Sequence, residues 1–348
     1  MKMTDPWAGE APSNTGSFLI WQQPHYIYLA EEMYRAKPTS ETLERYCLQV
    51  EETAAFMADF VSSRSANGSI SSRTPVSRRS VRGGSAAAPL YFLQGATSMQ
   101  ESMSKDFSYN HPFELAYWHY GLTVAQQWRE RRGLPRHPHW DDIIAHLSPL
   151  PETNGLYTAG LPKGDITGLE AFDPFDTVAS SASSSSSTSA SGSVGRGSAT
   201  APRTESFTAK TRNDHPAVLG ACGMLPRVPL YNNDTMTKTL AWVMDNWNWA
   251  TTWGWDYGMV AMAAARLHQP AKALDALLIN TQKNTYLTNG HNFQTADRLR
   301  IYLPGNGALL TAVAMMCAGW DGCTLGNNPG FPADGTWNVK WEGLQRMQ

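Results

Sequence analysis

The chain has 348 residues and a formal net charge of -2, which is enough length for one large domain or two ordinary ones. This charge balance gives no electrostatic reason to expect nucleic acid or an acidic membrane as a partner. No apolar run approaches the ~20 residues of a membrane span, and the first residues are polar and proline-rich, unlike a signal peptide. We therefore expect no membrane partner, and a cytoplasmic location if the chain is complete.

Apolar residues at helical spacing predict about nine helices joined by short connections. The expected ranges are 26–36, 40–60, 112–132, 138–147, 214–224, a sixth helix ending at 247, 255–267, 270–279 and 305–320. Ser40 is the expected N-cap of the second helix, and Asn233 or Asp234 that of the sixth. Extended runs are expected only near Leu90 and Arg300. The predicted class is all-α, with antiparallel helical hairpins.

Two segments interrupt the helical pattern of the predicted domain, which spans residues 17–344. Residues 62–88 are rich in Ser, Arg and Gly, and residues 178–208 form a low-complexity Ser-rich stretch. Such segments cannot bury enough apolar surface to offset the entropy lost on ordering, so both are predicted to be disordered insertions. The arginines of the first could form a basic docking tail, but a solvated loop is the favoured interpretation.

Tryptophan is unusually frequent, with 13 in the chain, and four of them crowd into residues 246–256: Trp247, Trp249, Trp253 and Trp255. A buried indole needs a partner for its N–H group. The side chains of a segment this dense in Trp and amide groups cannot all point into a core without leaving polar atoms unpaired. One interpretation is a stacking platform for a sugar. The other is an aromatic corner between two helices.

A second loop, residues 284–294, has few charges and many amides, including Asn292 and Gln294 beside His291. Neutral hydrogen-bonding groups suit the recognition of hydroxyls better than that of phosphate or carboxylate. A turn held by asparagine side chains is an equally good interpretation.

Cleavage of a glycosidic bond usually needs two carboxyl groups, one protonated and one ionised. The candidates outside obvious solvent-facing helices are Glu101, Glu114 and Asp256. Glu114 could instead favour its helix dipole, and Asp256 could instead cap a helix. The four cysteines show no metal-ligand spacing, although Cys317 and Cys323 could be bridged or reduced. We expect neither a metal nor a cofactor.

Four segments together resemble the C-terminal half of the six-hairpin glycosidases: residues 110–118, 253–256, 284–294 and 303–307. The groups it most resembles are the family 95 α-L-fucosidase-like and family 65-like glycoside hydrolases, and the resemblance covers roughly residues 21–344 apart from the insertions. It implies an (α/α)6 toroid, a carbohydrate substrate and hydrolysis with inversion. Glu101 would be the general acid, and Asp256 or Glu114 would take the second role, with carboxyl groups ~6.5–9.5 Å apart.

The same resemblance suggests a set of substrate contacts. They are Trp118, Trp253, Trp255, His291, Asn292, Gln294 and Asn306. The sequence departs from family 95 at Pro304, where that family has an Asp assisting the base. It also supplies about nine helices where a toroid has twelve, which predicts truncation at the N-terminus or an open groove. The alternatives are an inactive carbohydrate-binding relative or truncated fragment, and a helical interaction protein whose tryptophans are all core.

Overall fold

The structure is a computed structural model that describes residues 20–64, 70–71, 90–95, 99–100, 108–162, 207, 209–296 and 299–348. The chain is mostly helical, as predicted. The helices described are α1 (His25–Ala36), α2 (Ser40–Phe60), α3 (Pro112–Arg131), α4 (Pro138–His146), α5 (Gly220–Gly223), α6 (Asn233–Asn246), α7 (Asp256–Arg266), α8 (Pro270–Leu277) and α9 (Leu303–Ala318). None of the helices in this part of the chain has the length and apolar character that a membrane crossing needs.

Most predicted helix boundaries agree with the structure to within two residues, but both predicted caps are wrong by one or two positions. The N-cap of α2 is Thr39, whose hydroxyl accepts a hydrogen bond from the backbone N–H of Thr42. The N-cap of α6 is Asn232, whose side chain accepts from the N–H groups of Asp234 and Thr235. In both cases the residue just before the predicted cap has the extended backbone from which a side chain can reach those donors.

The helix predicted over 214–224 is the largest departure. This segment contains a 3-10 turn at Ala217–Leu219 and only then the short helix α5. Asp214 has extended backbone, and Pro216 lies outside the helical region at ψ 57°. The carbonyl of Asp214 accepts from the indole of Trp247, and the ring of His215 pairs with Asp256. These tertiary bonds hold the start of the segment extended.

The strands described are two or three residues long and form four small antiparallel groups. They are β1 (Ser62–Arg64), β2 (Ile70–Ser71), β3 (Leu90–Phe92), β4 (Gln94–Gly95), β5 (Ser108–Tyr109), β6 (Glu152–Thr153), β7 (Leu156–Tyr157), β8 (Leu161–Pro162), β9 (Thr285–Tyr286) and β10 (Asn292–Phe293). The run near Leu90 is confirmed as β3, whereas the run near Arg300 is not a strand.

The two predicted insertions fall mostly outside the described residues. In the first insertion, residues 62–64 form β1, which pairs with β2 at residues 70–71 and with β3. The predicted disorder is therefore wrong for these residues. At the end of the second, the ring of Phe207 is buried and stacks on Trp242 with ring centroids 4.9 Å apart.

Helix α7 is the centre of the packing, since α5, α6, α8 and α9 all contact it. Glycine permits two of these close approaches. A Cβ on Gly223 of α5 would lie 2.7 Å from the backbone of α7 at Met259 and Ala263, and one on Gly258 would lie 2.5 Å from the carbonyl oxygen of Ala308 in α9. On the other side, α1 packs on α2, α2 on α3, and α3 on α5. The beginnings of α1, α3, α7 and α9 are thereby brought around one cavity.

Candidate functional site

The cavity has a volume of about 710 Å³ and is bordered by residues from α1, α3, α7 and α9. The segment at His215, the residues that follow α5 and Met347 near the end of the chain complete its wall. Among the described residues that line it, the only side chains that could carry charge near neutral pH are His25 and His215. The rest of this wall is aromatic, apolar or neutral, so the cavity suits an uncharged ligand with flat or apolar faces.

The imidazole of His215 is held by the carboxylate of Asp256. Nδ1 of His215 lies 3.0 Å from one carboxylate oxygen and 3.1 Å from the other. Asp256 is 0% exposed, and its Oδ2 also accepts a 2.8 Å hydrogen bond from the backbone N–H of Trp253. Asp256 therefore begins α7, ties down the preceding loop and orients a histidine that lines the cavity. Asp256 itself is not among the residues that line the cavity.

The four clustered tryptophans divide into two pairs. Trp247 and Trp249 are structural: their indole N–H groups donate to the carbonyls of Asp214 and Met244. Trp253 and Trp255 line the cavity instead. The ring of Trp255 lies 4.5 Å from that of His215, and the ring of Trp253 lies 5.6 Å from that of Tyr302. The corner interpretation thus fits Trp247 and Trp249, whereas the platform interpretation stays a prediction for Trp253 and Trp255.

A second aromatic group faces the cavity from α1 and α3. Nδ1 of His25 lies 2.7 Å from the hydroxyl of Tyr117. The ring of Trp21 meets those of His25 and Phe113 edge-on, with centroids 5.4 Å and 6.1 Å apart. Burial lowers the pKa of His25, so the neutral form dominates near pH 7. A neutral imidazole next to a hydroxyl can both donate and accept hydrogen bonds, as sugar recognition requires.

Glu114 lies behind this wall, not on it. It is 2% exposed and is not among the residues that line the cavity. Its Oε1 accepts a 2.5 Å hydrogen bond from the backbone N–H of Met99, so it fixes the chain just before residue 101. Burial raises the pKa of Glu114 from 4.5 to about 7, and the bond from Met99 only partly opposes this.

The candidate acid Glu101 lies outside the described residues. Its neighbour Gln100 is described and buried, and donates a 2.8 Å hydrogen bond to the carbonyl of Thr211, four residues before His215.

The amide side chains that were predicted to contact substrate hydrogen-bond to the backbone of the loops instead. Gln294 accepts from the N–H of Gly254 and donates to the carbonyl of Thr252, while Asn292 donates to the carbonyls of Lys283 and Thr285. Asn306 accepts from the N–H of Asn292 and donates to the carbonyl of Gly290. None of these three asparagine and glutamine side chains is among the cavity residues.

Two further predicted contacts also lie away from the cavity wall. Trp118 is fully buried in the core, and its indole donates to the carbonyl of Met57. His291 is half-buried in the turn between β9 and β10. Of the seven predicted substrate contacts, the structure therefore brings Trp253 and Trp255 to the cavity.

The sequence interpretation did not single out His215, His25 or Tyr302. His215 is 41 residues from its partner Asp256, and it was assigned to the start of a helix. Its one local signal is its place before Pro216, because the residue before a proline favours extended backbone. His25 stands at the start of α1, and only the packing of α1 on α3 brings it to the cavity.

The four cysteines are all free thiols, so Cys317 and Cys323 are not bridged. Within the described ranges, no group of three or more His, Cys, Asp or Glu side chains could hold a metal ion. No protein-family model and no curated protein matches the chain. The resemblance to the six-hairpin glycosidases consequently remains a prediction from the motifs.

Proposed function

We propose that the protein is a glycoside hydrolase that binds a neutral carbohydrate in the cavity at Trp253 and Trp255. The observation that supports this most is that two indole rings line the same cavity as His215, whose ring is paired with Asp256. Indoles stack on the C–H faces of sugar rings, and the neutral polar groups of His25, Tyr117 and Tyr302 suit hydroxyls. The proposal includes the (α/α)6 arrangement, with α1–α9 as part of the toroid.

In this proposal Glu101 protonates the departing glycosidic oxygen. His215 takes a proton from the attacking water through Nε2, which lies 3.7 Å from a carboxylate oxygen of Asp214. Asp256 accepts from Nδ1 and so sets the orientation and tautomer of the imidazole. The buried position of Asp256 supports this assisting role over direct attack. With Pro304 in place of the acid that helps the base in family 95, a histidine would supply the missing function. Direct attack by water gives inversion at the anomeric carbon.

The test is hydrolysis of a panel of aryl glycosides by the wild type and by Glu101→Gln. We expect the wild type to cleave at least one member, and Glu101→Gln to lower kcat by about a hundred-fold or more. Glu52→Gln, an exposed acid on α2, is the matched control and should leave the rate unchanged. Equal rates for the wild type and Glu101→Gln would remove Glu101 from the mechanism.

A second candidate is a carbohydrate-binding protein without catalysis. It is favoured by the observation that no carboxylate among the described residues lines the cavity, since Asp256 and Glu114 are both buried behind its wall. This candidate predicts heat of binding with oligosaccharides and no turnover of any glycoside in the panel. Turnover that depends on Glu101 would exclude it.

A further inference from the structure

Methionine side chains form a second part of the cavity wall, and one of them, Met259, lies one helical turn after Trp255. Five methionine side chains line it, together with Leu225 and Phe113: Met99, Met224, Met259, Met262 and Met347. We infer that this wall is a second subsite, which takes an apolar, aromatic-sized group attached to the sugar. The inference rests on the proposed function, because it identifies the substrate class as glycosides with an aromatic or similarly apolar aglycone.

Contacts around Gly220 show that part of this wall is one continuous surface. A Cβ at Gly220 would lie 2.7 Å from Cε of Met99, 3.0 Å from Cδ2 of Phe113 and 3.3 Å from Sδ of Met259. Met262 follows Met259 by three positions in α7, so the two side chains share a helix face. Phe113 of α3, Met259 of α7 and Met99, which lies between β4 and β5, thus meet around Gly220 of α5.

The chemistry of this wall excludes a second sugar. A thioether is a weak acceptor and cannot donate, so hydroxyl groups placed against five methionines would lose their hydrogen bonds to water without replacement. An aromatic ring has the opposite preference, because polarizable sulfur makes favourable contacts with ring edges and faces. Trp21 and Phe113 extend the same surface with two further rings that already pack edge-on.

The size of the cavity fits two connected parts of a ligand. Cavities of about 300–1,000 Å³ hold drug-sized molecules, and this one has about 710 Å³. The Trp253–Trp255 wall and the methionine wall belong to the same cavity. One ligand can therefore place its sugar between the indoles and His215 and its aglycone against the methionines.

The test uses indole alone as the probe, so that it does not depend on sugar binding or hydrolysis. Indole is titrated calorimetrically into the wild type and Met224→Gln. Met224 is half-buried and lines the cavity, so the variant keeps the side-chain length and adds a polar amide to this wall. We expect indole to bind the wild type, and Met224→Gln to weaken it by about ten-fold, as the loss of one buried apolar side chain implies.

Two further variants serve as controls. Met33→Gln changes an exposed methionine of α1 away from the cavity and should bind indole like the wild type. Met224→Leu restores an apolar side chain and should recover the affinity. No binding of indole, or equal binding by Met224→Gln and the wild type, would overturn the inference even if glycosides are hydrolysed. Binding that depends on Met224 supports the subsite even if the hydrolysis panel fails, so the two failures are distinguishable.

Discussion

The carboxylate of Asp256 accepts hydrogen bonds from within the protein, from the ring of His215 and the backbone N–H of Trp253. A fully buried carboxylate is costly unless it is paired, and this pairing offsets the cost. The same pairing makes the histidine, rather than the acid, the group that faces the cavity. In the proposed mechanism Asp256, the candidate base or base-assisting group of the sequence prediction, therefore positions His215.

Asp256→Asn should therefore act on turnover more than on binding. The amide keeps the size of the side chain but can donate to Nδ1 of His215, which favours the wrong tautomer. We expect kcat for the best aryl glycoside to fall by about a hundred-fold or more, with KM changed only a few-fold. Asp245→Asn, an exposed acid on α6, is the control. A loss confined to KM would show that Asp256 serves binding, contrary to this account.

Glu114 makes stability depend on pH in a direction opposite to most carboxylates. Its pKa is raised to about 7 in the folded protein, against 4.5 when unfolded. Below pH 4.5 the group is protonated in both states, and its stabilising contribution is complete. As the pH rises from 4.5 through 7, the unfolded chain ionises first, and that contribution is lost.

Glu114→Gln should remove this pH dependence, because glutamine stays neutral and can still accept from Met99. The free energy of unfolding of the variant minus that of the wild type should be larger at pH 8 than at pH 4.5. We expect the increase to be on the order of 3 kcal/mol. Urea unfolding of both proteins at these two pH values measures the difference. Parallel pH profiles for the two proteins would contradict the raised pKa.

At the scale of elements, the sequence predicted the helices well except in the segment that contains α5. Helices α2 and α3 have uninterrupted apolar spacing and clear stops, so their ends were found to within a residue. The segment after Asp214 has similar composition, but its first residues are bound to Trp247 and Asp256 from far along the chain. Local propensity does not contain such partners, which is why a helix was predicted where the chain is extended.

Two glycines give a matched test of how α7 and α9 pack. A Cβ on Gly258 would lie 2.5 Å from the carbonyl oxygen of Ala308, whereas a Cβ on Gly307 has no atom within 4 Å. Gly258→Ala must push the two helices apart and should cost about 1–3 kcal/mol. Gly307→Ala sits in a helix facing open space and should stabilise by up to about 1 kcal/mol. Thermal unfolding decides this, and equal melting temperatures for the two variants would contradict the close packing.

At the scale of the whole molecule, the sequence predicted a helical protein with an aromatic cavity but not the composition of that cavity. Trp253 and Trp255 were identified from the tryptophan density of their loop and from the resemblance, but the density alone did not separate them from the structural Trp247 and Trp249. His25, His215 and the methionine wall come from separate parts of the chain, and only the packing around α7 unites them. Conversely, Asn292 and Gln294 were interpreted as ligand contacts because amides suit hydroxyls, and Asn306 because of the resemblance. In the fold they hydrogen-bond to the loop backbones, because backbone N–H and C=O groups suit amides as well as hydroxyls do.

The central claim is that the indole wall binds carbohydrate, and calorimetric titration of neutral mono- and disaccharides tests it most directly. We expect at least one saccharide to bind the wild type, and Trp255→Ala to bind it about ten-fold more weakly because a stacking surface is lost. Trp337→Ala, a half-exposed tryptophan away from the cavity, should match the wild type. Binding of the same saccharide with equal affinity by the wild type and Trp255→Ala, or no binding by either, would contradict the claim.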